Sequence, residues 1–167
     1  MTDEAPGDEG WVQLLEEMDA MAAALDDEGW ETLTIPAGDA GPVGPDERYT
    51  DRHGYAYVVP GDAADRFAEL FVPDGFPRTE IYRATAGGNL YLLSVFQNPA
   101  TEAAILLAGV LDRGDLGVCR QHAADTGRMY SHLFRVNGTH LGTFEHDDPD
   151  PFFPGSGGNN GPSEATK

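Results

Sequence analysis

Lysine is almost missing from this chain. Of its 167 residues only Lys167 is lysine, so the ten basic side chains are otherwise all arginine, set against 29 Asp and Glu for a formal net charge of −19. Such a balance offers no basic footprint for displacing counterions from phosphates, and nucleic acid is not an expected partner. Cysteine occurs once, at Cys119, which excludes an internal disulfide and any multi-cysteine zinc site. Long apolar runs are also lacking. The longest, "AAILLAGVL" at 103–111, is far short of the roughly 20 residues that span a bilayer. The acidic first residues lack the basic and apolar regions of a signal peptide. No membrane association is expected, and the expected location is the cytoplasm. Catalytic signatures are missing too: there is no Gly-x-Ser-x-Gly elbow, no His-Glu-x-x-His and no phosphate-loop lysine.

What the chain has in abundance is carboxylate, spread along its length rather than gathered in a tail. A distributed excess makes the whole surface anionic, and self-repulsion then opposes a compact state until salt screens it. Lysine depletion fits the same setting, because a long apolar stem adds hydrophobic surface where salt already strengthens apolar association. Inorganic cations are the expected company of such a surface. The hydrophobic share of 40% suffices for one core. Residues 1–9 and 154–167, small, polar and without apolar periodicity, read as disordered flanks around a single domain at 10–153.

Within that domain the pattern reads as α+β, a largely antiparallel sheet with packed helices. Trp11, Leu14, Leu15, Met18, Met21, Ala22 and Leu25 recur at helical spacing over 11–26 and form one stripe, suited to packing on the domain's own sheet, with a partner-binding face as the alternative. "ETLTI" (31–35) reads as a strand and 36–54 as a long loop rich in Pro, Gly and Asp. "YAYVV" (55–59) is a strand. A helix follows with Asp62 at its cap and Ala63, Phe67, Leu70 and Phe71 inward. A hairpin turns at Gly87-Gly88. Residues 102–111 read as a buried strand, with a helix starting at Asn98-Pro99 as the alternative. Residues 115–125 read as a helix with Asp115 near its cap. A second hairpin turns at Asn137-Gly138. The succession allows two βαββ repeats after the leading helix.

The second hairpin, "RMYSHLFRVNGTHLGTFEHDD", holds three of the five histidines. Asn-Gly favours a two-residue type I′ turn. That register pairs Val136 with Thr139, Arg135 with His140 and His132 with Thr143. His140 and His146 then share one face but lie about 20 Å apart at ~3.4 Å per residue, too far for one ion. His132 takes the other face. In the alternative register of a three-residue loop one strand flips, and His132 with His146 becomes a metal half-site. The expected metal set is otherwise none, and no cofactor is expected.

Other candidates are weaker in kind. Cys119 and His122 sit one helical turn apart, yet a free cysteine usually packs inward. "EHDDPD" (145–150) lacks the glycine and final glutamate of a calcium loop and reads as a solvated face. "GSGGNNG" in the tail lacks dinucleotide spacing and reads as flexible. Arg83 and Arg135, at matching positions if the repeat holds, could hold an anionic ligand bidentately with His140 near Arg135.

The stretches "WETLTIPAGDAGPVGPDE", "YAYVVPGDAADRF", "GRMYSHL" and "GTHLGTFEHDDPDPFF" resemble those of a haloarchaeal family of acidic cytoplasmic proteins of unknown function, over roughly residues 11–154. The resemblance implies a setting and no activity. Without a catalytic constellation, the reading is a non-enzymatic domain that binds a protein partner or self-associates, using the amphipathic helix and hairpin edges that can add a strand to another sheet. The alternative is a small-ligand sensor or enzyme using Arg83 and Arg135. The composition predicts that folded-state stability rises between dilute buffer and molar salt. Circular dichroism across a salt series checks this, and a flat response contradicts it.

Overall fold

The computed structural model describes residues 6–43, 54–72 and 75–153. In chain order these form α1 (Pro6–Asp27), β1 (Glu31–Val43), β2 (Gly54–Val59), α2 (Gly61–Leu70), β3 (Arg78–Ala86), β4 (Asn89–Asn98), β5 (Ala103–Asp112), α3 (Gly117–Thr126), β6 (Met129–Arg135) and β7 (His140–His146). Two 3-10 turns, Arg113–Asp115 and Asp150–Phe152, complete them. The strands make one sheet in the order β3-β4-β5-β1-β2-β6-β7. Four neighbouring pairs are antiparallel; β1–β5 and β2–β6 are parallel. The α+β class and the largely antiparallel sheet read from the sequence are therefore present. Among the described residues no helix is long and apolar enough to cross a membrane.

The apolar run of β5 is a strand because both its faces are covered. Ile105, Leu107 and Leu111 join one core with Leu33, Ile35, Leu92, Phe96 and residues of α2 and α3. Ala104, Leu106 and Ala108 join a second core with Tyr91, Leu93 and Val95 under Leu14, Met18 and Ala22 of α1. A strand buried on both sides needs no polar alternation. The apolar stripe of α1 thus packs on the domain's own sheet, as its spacing predicts. The helix begins at Pro6, earlier than the domain start placed at residue 10. The alternative helix start at Asn98-Pro99 is a turn instead, in which the Asn98 side chain accepts from the Ala100 amide at 3.1 Å.

β1 departs most from expectation. It runs on past Ile35 to Val43, so residues 36–43 of the expected long loop are strand, and 44–53 lie outside the described residues. Its first part pairs with β5 and its last part with β2, and the register shifts between Pro36 and Gly38. Gly38 has φ +79°, which suits glycine, and a bulge is where a strand accommodates proline and bends. The sheet folds over at this point. Phe144 of β7 stacks flat on Phe96 of β4, centroids 3.8 Å apart, although four strands separate β7 from β4 in the sheet order. Phe67 and Phe71 meet Phe144 edge-on at 6.0 and 5.2 Å.

Two expected caps are displaced. α2 is preceded by Pro60, and Asp62 lies in its first turn. Leu116 caps α3; Asp115 belongs to the 3-10 turn, which Asp112 caps by accepting from the Gly114 amide. Gly127, at φ +72°, ends α3. The succession β2-α2-β3-β4 then β5-α3-β6-β7 does read βαββ twice, but the pairing is not repeated. β5 joins the first hairpin through its second strand, antiparallel, and β2 joins the second hairpin through its first strand, parallel.

Where the fold closes, Tyr57 lies across Gly109: a Cβ there would stand 2.6 Å from the ring. Both residues sit between packed strands, so Gly109→Ala should lower stability by about 1–3 kcal/mol, the usual overpacking penalty. Chemical denaturation measures it; an unchanged midpoint contradicts the close approach.

Candidate functional site

The second hairpin is built differently at its tip from a type I′ turn. The Gly138 amide donates to the Arg135 carbonyl and the Arg135 amide donates to the Thr139 carbonyl, both at 2.8 Å, leaving a three-residue loop. Gly138 alone takes positive φ, at +91°, and Asn137 does not. The Asn137 side chain instead accepts from the Thr139 amide at 3.0 Å, an Asx turn. A register shift between Leu133 and Phe134 then leaves Leu141 unpaired and cancels the extra loop residue. Beyond this bulge His132 faces Thr143 and Met129 faces His146, as the two-residue register requires. The bulge therefore reverses only the residues next to the turn. His140 leaves the face of His146 and joins that of His132, which corrects the sequence reading. His132 and His146 stay on opposite faces, so they form no metal half-site.

His146 points into the core. Its Nε2 lies 2.9 Å from Ser131 Oγ, and Phe96 and Phe152 lie against the ring at 5.8 and 4.6 Å. Its Nδ1 is buried with no hydrogen-bond partner. The cheaper tautomer carries the proton on Nε2 and donates to Ser131, leaving a bare lone pair at Nδ1 rather than a bare N–H. In that tautomer the imidazole cannot take the Ser131 proton, and Ser131 is fully buried. The pair is not a nucleophile and its base. Burial, with His132 nearby, pushes the His146 pKa down from 6.5 to about 3. Tyr57 Oη and Ser94 Oγ, in the same interior, face each other without meeting full hydrogen-bond geometry, and burial raises the Tyr57 pKa well above 10.

The opposite face of the hairpin is where side chains converge. His132 Nδ1 and His140 Nε2 lie 2.9 and 2.8 Å from one atom, Thr143 Oγ1. The Tyr130 ring lies nearly parallel to His132 at 6.0 Å, and Phe134 stands 5.3 Å from His140. Along the same face Arg128 donates to Glu145 at 2.6 Å and to Asp147 at 2.9 Å, all three at the surface. The carboxylates of "EHDDPD" thus line a solvated face, and Arg128 draws two of them together.

Folding the sheet over brings its two edge strands to the sides of one cleft of about 510 Å³. Thr79 of β3 forms one wall; Thr143 and Glu145 of β7, with Tyr130 and Arg128, form the other; Phe71, Phe76 and Phe144 are its aromatic floor. Among the described residues β3 pairs only with β4 and β7 only with β6. None of this was expected as a site. The sequence signal that could have marked it is the aromatic spacing of Phe71, Phe76 and Phe144, which is indistinguishable from core.

The two arginines singled out in the sequence are not brought together. Arg83 donates to the Pro151 carbonyl at 3.1 Å, at the end of the sheet where Tyr55 Oη donates to the Phe152 carbonyl. Arg135 pairs with Asp65 of α2 at 3.1 Å, at the opposite end of β2. Each meets a local acceptor, and neither lines the cleft. A shallower hollow of about 470 Å³ does gather two arginines, Arg113 and Arg120, beside the start of α3. Cys119 is buried, its Sγ 3.7 Å from the Gly54 carbonyl, and burial pushes its pKa up to about 12. Such a thiol is inert rather than nucleophilic. Among the described residues no three His, Cys, Asp or Glu side chains group as metal ligands.

A family model described as a family of unknown function (DUF7529) matches residues 2–154. The chain belongs to DUF7529. The match covers all the described elements, so the DUF7529 domain is the whole sheet with its three helices rather than one half of it. No curated protein and no solved structure matches the chain.

His146 gives this DUF7529 domain an acid-sensitive core. The unfolded chain binds a proton near pH 6.5, whereas the folded chain resists until about 3. Stability from this group is therefore complete above 6.5, and falls by about 1.4 kcal/mol per pH unit as pH drops through that window. The carboxylates titrate as well, so the measurement is the difference between the wild type and His146→Leu in denaturant titrations at several pH values. The wild type should lose stability relative to the variant on acidification; parallel curves contradict the assignment.

Proposed function

We propose that this DUF7529 domain is a salt-adapted, non-enzymatic interaction module of the cytoplasm that receives an extended segment of a protein partner between β3 and β7. The observation that carries the reading is the cleft itself: two sheet edges flank a hollow with an aromatic floor and a carboxylate rim. An edge strand offers a row of backbone donors and acceptors, and strand addition is how such edges recognise extended peptides. Alternate side chains of an added strand point to opposite faces. One set would meet Phe71, Phe76 and Phe144. The other would meet Glu145 and Asp147, where Arg128 already shows that guanidinium fits. The partner segment is therefore one that alternates apolar and basic residues. The charge of −19 and the single lysine support operation at high salt, where apolar contact is strengthened and long-range steering is screened.

Panning extended peptides against the full chain at molar salt should enrich that alternation. Val72 lines the cleft and is 52% exposed, so Val72→Arg should leave the melting temperature alone while weakening the enriched peptide by about tenfold or more, as central interface changes do. Equal binding by the variant contradicts the reading.

A further inference from the structure

We propose that His132 and His140 form a two-imidazole seat for a late first-row divalent cation, Cu(II), Ni(II) or Zn(II), with Thr143 as its resting occupant. The claim is independent of what fills the cleft. Two ring nitrogens aim at one point, Thr143 Oγ1, from 2.9 and 2.8 Å. A hydroxyl has one proton, so it donates to one ring and accepts from the other. One inward nitrogen therefore carries a proton and the other a bare lone pair, both are turned toward the hydroxyl, and their separation cannot exceed the sum of the two distances. A metal ion bound to two imidazoles at ~2.0–2.1 Å needs them closer than that limit and on the same side. The β7 bulge at Leu141 is what puts His140 there.

The two arms differ in a useful way. His132 is 2% exposed and lies against Tyr130, so it is the fixed ligand. His140 is exposed and can close onto an ion. A rotation of Thr143 about χ1 removes the hydroxyl from between them. Imidazole selects Cu, Ni and Zn over the alkali and alkaline-earth ions that carboxylates take. Glu145, next on the same face, is held by Arg128, so water or a donor atom from an occupant of the cleft completes the coordination. Thr143 lines that cleft, which gives an ion an open side.

The test is a Cu(II) titration of the full chain without an affinity tag, in molar potassium nitrate at mildly alkaline pH, followed by electron paramagnetic resonance. The seat predicts one tight ion per chain with superhyperfine coupling to two nitrogens. His140→Ala should weaken it at least about tenfold, the smallest cost even of outer-shell changes at metal sites, and should remove one coupled nitrogen. Thr143→Val, nearly isosteric, should tighten it by removing the competing hydroxyl. His122→Ala, on α3, should change nothing. Spectra with oxygen ligands only, or a tight ion unaffected by His140→Ala, overturn the proposal. Loss of binding in Thr143→Val with circular dichroism unchanged also overturns it, because the hydroxyl would then be a ligand rather than a competitor.

Discussion

The rest of this structure depends on one strand changing partners. β1 begins parallel to β5 and ends antiparallel to β2, with the bulge between Pro36 and Gly38 between the two pairings. A sheet of seven strands that stayed open would leave Phe144 far from Phe96. Because β1 bends, the β2-β6-β7 half folds over the β3-β4-β5 half, and the two rings stack at 3.8 Å. The same turn brings the edge strands to opposite walls of a cleft. It also lays Tyr57 across Gly109, and it encloses His146 and Ser131 in the interior. Core, cleft and buried polar pair are thus consequences of a single backbone irregularity, which the neighbouring pairings hold in place.

The second irregularity, at Leu141, divides the hairpin's polar residues by role. Inward, burial keeps the imidazole of His146 neutral beside Ser131. Outward, His132 and His140 meet at Thr143 Oγ1, and along the same face Arg128 pairs with Glu145 and Asp147. Among the described arginines, Arg66, Arg128 and Arg135 each contact a carboxylate, Arg83 and Arg113 donate to backbone carbonyls, and Arg120 lies over the Phe153 ring. In a chain so rich in acid, the planar five-donor guanidinium binds several acceptors at once, which a lysine cannot do with fixed geometry.

Legibility followed periodicity. The α1 stripe, the β3–β4 hairpin at Gly87-Gly88 and the buried strand β5 could be read because each rests on local pattern or turn chemistry. What could not be read rests on tertiary contacts. Pro36 and Gly38 look like loop residues, and they become strand only because β5 and β2 supply pairing on either side. Asn137-Gly138 favours a type I′ turn in isolation, yet the Asx bond of Asn137 and a bulge three residues past Gly138 give a different turn with the same distant register. His132 opposite Thr143 was therefore foreseen, and the side taken by His140 was not. The cleft could not be foreseen at all, since no sequence rule places β7 against β4.

The cleft and the enclosed core rest on the fold-over of the sheet, and its most direct measure is the contact between Phe96 and Phe144. Nuclear Overhauser spectroscopy on selectively labelled phenylalanines at molar salt should show strong cross-peaks between these two rings. It should also show weaker ones from Phe144 to Phe76, whose centroid lies at 6.0 Å, and upfield shifts from the face-to-face stack. If the Phe96 and Phe144 rings gave no cross-peak while the β6–β7 and β4–β5 backbone contacts persisted, the sheet would be open, and neither the cleft nor the enclosed histidine would survive.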